Sequence, residues 1–289
     1  MSNSIANIAC PKFLCWLILL LAVGVVSGCA TENMASGNVA LSDEEGSPGA
    51  ETQARILSAY HGLDALVQAA RICGIPIGGE DGMPVAFSVQ INSETLAPTD
   101  FAVETASGEI VIPICATLRP ALESLEQRTI LLVGSFGTPE APPRAVEVVG
   151  QLEDTQGNSL FGLRTEKVTP LAAGPSLVFA ERFAPSATGL EDECPDESKQ
   201  AVLLTWEGGV TGPEGADLAE AQRTGVSLLL ENGDRVHPIF LGDDDPDNHV
   251  VACIAEESPA ILVSVDPGLF HDPGDDANPE TSVEVVPGI

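Results

Sequence analysis

Positive charge is what this chain lacks most. Of its 289 residues only 12 are Lys or Arg, against 43 Asp or Glu, for a formal net charge of -31. Such a surface repels phosphate backbones, so nucleic acid is not an expected partner. The same field opposes lying flat on anionic lipid. Aromatic residues are also few, with one Tyr, two Trp and nine Phe, so core burial falls to Val, Ile and Leu. There is no GxSxG elbow, HExxH pair, Walker loop or GxGxxG after a strand. Carboxylates are so abundant that no single pair points to a glycosidase dyad. The reading is a protein that is not an enzyme; a surface hydrolase or carbohydrate-processing accessory using acidic loops is the alternative.

What the chain does have begins near its start. Phe13 to Val26 is an apolar run of fourteen residues, nearer a signal segment than a spanning helix. It ends in LAVGVVSGCA, Leu21 to Ala30, and then turns polar. This stretch resembles the lipobox of bacterial lipoproteins; an ordinary secretory signal or an uncleaved anchor is the competing reading. The resemblance implies cleavage before Cys29 and lipidation of its thiol, palmitate included, with residues 1–28 as signal peptide. Ala30 in place of Asp favours, in that family, the outer membrane, facing periplasm or cell surface. Residues 29–53 then form the lipidated cysteine and a Ser, Gly, Ala and Glu-rich linker, long enough to hold the folded part roughly 25 to 30 Å from the bilayer. The mature chain would carry about -32, and its membrane contact would be the acyl chains alone.

The remainder contains an internal repeat. FAVETASGEIVIP, 101–113, and VSLLLENGDRVHP, 226–238, align without a gap, matching Gly108 with Gly233, Val111 with Val236 and Pro113 with Pro238. Ser-Gly and Asn-Gly supply the positive φ of a tight turn, and β-rich residues flank both. Upstream, 54–60 parallels 176–183 and 85–91 parallels 202–208; downstream, TILLVGSF (129–136) parallels AILVSVDPG (260–268) and AVEVVG (145–150) parallels SVEVVPG (282–288). Short apolar segments between turn residues point to an all-β fold with two tandem sandwiches, 54–168 and 169–289. Gly62 to Ile72 also carries Leu63, Leu66, Val67 and Ala70 at helical spacing, which makes a short helix compete with a loop there.

Of seven cysteines, Cys10 and Cys15 lie in the signal and Cys29 is the lipidation candidate. Cys73, Cys115, Cys194 and Cys253 remain, an even number that favours two disulfides over a zinc site, since no CxxC pair exists. Pairing within repeats, Cys73 with Cys115 and Cys194 with Cys253, is the economical solution; bridges crossing between repeats are the alternative. Each bridge would restrict the unfolded chain by about 4 kcal/mol.

Phe87-Ser88, Thr95-Leu96, Asp100-Phe101, the Gly108 turn and the Asp154 to Asn158 segment together resemble the bacterial Ig-like domain of S-layer and other surface proteins. That resemblance implies a sandwich used as spacer, stalk or binding module. It covers most of the first repeat, while the second keeps the hairpin but lacks the Asp-x-x-Gly-Asn close.

Two acidic loops, 241–249 and 271–279, look like additions to the second repeat, and strand direction places both at one end of its sandwich. Asp243, Asp244, Asp245, Asp247, Asn248, Asp272, Asp275, Asp276 and Asn278 form an oxygen-rich set suited to calcium; solvated acidic turns are the plain alternative. His237, His249 and His271 nearby raise a zinc reading as well. The expectation is a cell-envelope protein held to the membrane by lipid, with an envelope protein or glycan as partner.

Overall fold

The structure is a computed structural model and describes residues 53–288, apart from 62–70, 72, 75–77, 122, 171, 191–192 and 243–246. Cys29, the linker and the helical pattern at 62–70 therefore lie outside the described residues. Among its fully described elements the chain is all-β, with one short α-helix, Glu220–Gly225, and three single turns of 3-10 helix. Among the described residues no helix is long and apolar enough to cross a membrane.

The first repeat contains β1 (Ile56–Tyr60), β2 (Asp81–Phe87), β3 (Phe101–Thr105), β4 (Ile110–Val111), β5 (Cys115–Thr117), β6 (Thr129–Gly134), β7 (Pro143–Val148), β8 (Arg164–Thr165) and β9 (Val168–Thr169), so that Thr169 pairs into the first repeat, one residue past the boundary drawn from the sequence. The second contains β10 (Leu177–Phe183), β11 (Gln200–Trp206), β12 (Val226–Leu230), β13 (Arg235–Val236), β14 (Phe240–Gly242), β15 (His249–Ile254), β16 (Ala260–Val265) and β17 (Thr281–Pro287). Repeat 1 makes two sheets, ordered β5-β6-β2-β1-β9 and β4-β3-β7-β8, the immunoglobulin arrangement with its last strand parallel to its first. Repeat 2 follows the same path, but its strands join in one sheet ordered β13-β12-β16-β17-β10-β11-β15-β14.

A one-residue difference accounts for that contrast. In repeat 2, β17 pairs with β16 through Val283 and with β10 through Val285, one residue apart. In repeat 1 the matching contacts, Thr165 to β7 and Val168 to β1, are separated by two residues, Glu166 and Lys167. The extra residue breaks the strand into β8 and β9, as a bulge does, and the sheets stay separate.

The hairpin correspondence holds in detail. Gly108 N–H donates to Thr105 O and Gly233 N–H to Leu230 O, both at 2.9 Å, with φ of 84° and 91°. Downstream, the strand pairing corrects the sequence alignment by one whole strand. β6 pairs with β2 as β15 (His249–Ile254) pairs with β11, and β7 pairs with β3 as β16 pairs with β12. TILLVG therefore matches HVVACI, PRAVEV matches AILVSV, and SVEVVP matches the broken β8–β9 strand. The shared VEVV letters misled because half-buried strands draw on the same few residues, whereas register is set by pairing.

Each repeat has its own apolar core, built around Met83, Phe87, Phe101, Leu132 and Val146 in the first and around Leu204, Trp206, Leu228, Val263 and Phe270 in the second. Trp206 is fully buried against Phe270, with ring centroids 4.6 Å apart. Strands β6, β11 and β15 are buried along their whole length, which explains their unbroken apolar sequences. Over β11 and β15 lies a third cluster, in which Leu190 and Ala187 of the β10–β11 connection meet Leu203, Val251 and Leu125 of repeat 1.

Both disulfides close within repeats, Cys73 to Cys115 and Cys194 to Cys253. They are not equivalent in position. Cys115 sits on edge strand β5, while Cys253 sits on β15, the counterpart of β6.

Candidate functional site at the junction of the repeats

The end of repeat 2 that carries its acidic loops is turned toward repeat 1, and the residues between them are polar and buried. Tyr60, the last residue of β1, donates its hydroxyl to Asp272 Oδ2 at 2.6 Å. Burial, then the Asp272 hydrogen bond, pushes the phenol well above its ordinary pKa. Gly208 lies so close to this ring that a Cβ would stand 2.5 Å from it. Asn248 donates from Nδ2 to Thr129 Oγ1 at 2.8 Å and to Trp206 O at 3.0 Å. Glu207, 1% exposed, accepts from Thr169 Oγ1 and lies 3.1 Å from Lys167 Nζ.

The deepest charges are Arg128 of repeat 1 and Glu181 of β10, whose side chains are 2% and 8% exposed and hydrogen-bonded to one another. Burial lowers the guanidinium pKa and raises the carboxyl pKa, and the mutual attraction opposes both shifts. Arg128 also stands over the Phe179 ring, 4.6 Å from its centroid. Beside the pair, His249 is wholly buried, and desolvation followed by the Arg128 charge pushes its pKa down to about 3.

The loop 271–276 is not an addition to repeat 2. Asp272 Oδ1 accepts from Gly274 N and Asp276 N at 2.9 and 2.8 Å, and Asp154 Oδ1 accepts from Gln156 N and Asn158 N at the same two distances. The left-handed position is Gly157 in repeat 1, at φ 82°, and Asp275 in repeat 2, at φ 66°. Repeat 2 thus keeps the Asp-x-x-Gly-Asn close as Asp-x-x-Asp-Asp, contrary to the sequence reading. A spacing of Asp to Asn or Asp at i+4, two residues after buried Leu152 or Phe270, would have revealed it.

The nine residues singled out as calcium ligands are therefore placed differently from one another. Asp243, Asp244 and Asp245 lie outside the described residues. Asp272 is occupied by two backbone N–H groups and Tyr60. Asn278 accepts from Leu269 N and Phe270 N and donates to Asp266 O and Pro279 O. Asp275 accepts from Glu214 N and bonds His271 Nδ1, each at 2.8 Å, and its pKa is lowered chiefly by the first contact. Asp276 gives its N–H to Asp272, and Asn248 is spent on Thr129 and Trp206. Asp247 is the exception: one carboxylate oxygen each from Glu123, Glu126 and Asp247 lie within 4.8 Å of one another. Glu126 and Asp247 are buried. Three hard oxygen donors suit calcium or magnesium. Glu123 and Glu126 were missed because they belong to the other repeat, more than 120 residues away in sequence. The histidines are dispersed: His237 Nδ1 bonds Val226 O, His249 Nδ1 faces Thr205 and His271 pairs with Asp275.

No protein-family model matches this chain, and no curated protein does. Among solved structures it is similar to the crystal structure of the N-terminal part of the bacterial S-layer protein SbsC, at 10% identity and a TM-score of 0.29. The match covers 81% of this chain and 44% of that one. A likeness of that size carries no argument about fold or role.

Proposed function

We propose that this is a lipid-anchored cell-envelope protein with a non-catalytic spacer or binding role, its two sandwiches held as one stiff body. The observation that carries the reading is the junction: Arg128–Glu181, Tyr60–Asp272, Asn248–Thr129 and Glu207–Thr169 all cross between the repeats. Domains joined by a linker ordinarily move against one another. Breaking buried charged contacts one by one would strand each partner without water, which makes bending costly. Such a body at the end of a lipid-linked tether suits a stand-off module that presents a surface at fixed orientation.

Labelled palmitate should enter the wild type and not Cys29→Ser, and that substitution should move the protein from membrane to soluble fractions. An unlabelled or unmoved protein would remove the anchor. The calcium part of the reading rests on Glu123, Glu126 and Asp247. Millimolar calcium should raise the melting temperature of the wild type and leave Asp247→Asn unchanged; a wild type that does not respond would end it.

A further inference from the structure

Residues 110–114, Ile-Val-Ile-Pro-Ile, carry the chain from β4, at the edge of one sheet of repeat 1, to β5, at the edge of the other. Every second side chain faces outward: Ile110, Ile112 and Ile114 are 56%, 46% and 45% exposed, while Val111 packs on the core and Pro113 and Cys115 are buried. Repeat 2 is an internal control. In the gapless hairpin register the same three positions are Arg235, His237 and Ile239. Arg235 donates to Ser227 Oγ at 3.0 Å, and His237 lies 2.7 Å from Val226 O. The same backbone is therefore built with a charged and a polar residue where repeat 1 has isoleucine. Charged side chains are how natural sheets block strand addition at an edge. Repeat 2 has this protection at the first two positions, its third being an exposed isoleucine as in repeat 1; repeat 1 has it at none.

We propose that the β4–β5 edge of repeat 1 is a docking strand for an extended segment of another protein, apolar at alternate positions and basic between them. The mode is strand addition, with main-chain pairing for affinity and the isoleucine row for selectivity. Charge selects the partner. Exposed Glu109 precedes Ile110, while Glu104, opposite Ile110 in the ladder, is already paired with Arg144 and Arg164, so the attraction comes from Glu109 and the acidic surface as a whole. Five cations, Arg128, Arg144, Arg164, Lys167 and Arg223, are paired with the chain's own carboxylates, and 12 Lys and Arg in all leave most of the 43 acids without a counter-charge. A second copy would set -31 against -31. Its isoleucines would also bury only roughly 300 Å² per copy, short of the ~800 Å² per partner of a stable pair. This inference rests on the binding role proposed above and gives it a surface.

The test uses full-length protein in mild detergent and, as probe, a fluorescent eight-residue peptide of alternating leucine and lysine, read by anisotropy. Saturable binding is expected, weakening with added salt and falling at least tenfold in the charge-neutral pair Ile110→Ser/Ile112→Ser. Circular dichroism of that pair should match wild type, as the polar residues of repeat 2 lead one to expect. If the pair misfolds, Ile110→Thr alone serves, with a threefold loss expected. Equal affinity in the variant would mean attraction to acidic surface only, and no saturable binding would mean no docking strand; either overturns the proposal. A dimer seen by sedimentation without peptide, and lost in the variant, would assign the edge to a second copy and overturn it too. None of these results touches the anchor, which palmitate labelling decides separately.

Discussion

Replacing Arg128 by alanine isolates what the buried junction contributes. The substitution leaves Glu181, 8% exposed in its side chain, without its partner, and uncovers the Phe87 carbonyl and the Phe179 ring face that Arg128 meets. Removing one partner of a buried pair typically costs about 3 to 5 kcal/mol, because the other charge must be neutralised or wetted. Loss of the stacking on Phe179 adds about 1 kcal/mol. Replacing both, as Arg128→Met/Glu181→Leu, removes charge and desolvation cost together and should restore most of the loss. Calorimetry is the assay. The wild type should melt in one cooperative transition, since the repeats share the interface; Arg128→Ala should melt in two, with the first well below the wild type. If Arg128→Ala costs under about 1 kcal/mol, or the double replacement is as unstable as the single, the pair does not hold the repeats together.

Three further outcomes follow from the same geometry. His249 is buried neutral with a pKa near 3 against 6.5 when unfolded, so the unfolded chain takes up a proton first as pH falls. Stability attributable to it is intact above pH 6.5 and declines toward pH 3, by about 3 kcal/mol at pH 4.5; His249→Gln should flatten that part of the denaturation profile, and identical slopes in both proteins would refute the assignment. Asp272→Ala should cost about 1 kcal/mol more than Asp154→Ala, because the third donor it strands is the buried Tyr60 hydroxyl, whereas the third donor to Asp154 is the exposed Asn158 amide, which water can satisfy. A double-mutant cycle with Tyr60→Phe that shows no coupling would contradict this. With a net charge of -31, raising sodium chloride from 0.05 to 1 M should raise the melting temperature by screening self-repulsion, and a flat response would show that the acids do not strain the fold.

How much was legible in the sequence depended on whether a feature was local. The Gly108 and Gly233 hairpins were read correctly because a tight turn imposes its φ on a short string of letters. The disulfide pairing followed from each repeat holding one cysteine between its first two strands and one after its hairpin, although Cys253 lies one strand away from the position equivalent to Cys115. The downstream strands were shifted because VEV occurs in both β7 and β17, and nothing in so short a string says which neighbour each will pair with. The Asp272 loop was mistaken for an acidic addition for a related reason: its glycine had become Asp275, and the letters concealed a hydrogen-bond pattern that the geometry preserves.

The acidic loops carry the wider argument. Carboxylates crowded in sequence invite a metal, yet Asp272 and Asp275 are consumed by backbone N–H groups, Tyr60 and His271. The cluster that does converge draws two of its three members from the other repeat. A loop's own sequence tells which groups it brings, but whether they meet a cation, an N–H or a tyrosine is set by what packs against it. That was invisible until the end of repeat 2 was seen against β1 and β6 of repeat 1. The exposed isoleucines are the complementary case. Their meaning came from comparing two copies of one hairpin, in which the same backbone carries Arg235 and His237 in one copy and Ile110 and Ile112 in the other. A requirement of the fold would constrain both copies; a residue type confined to one reports a demand from outside the fold.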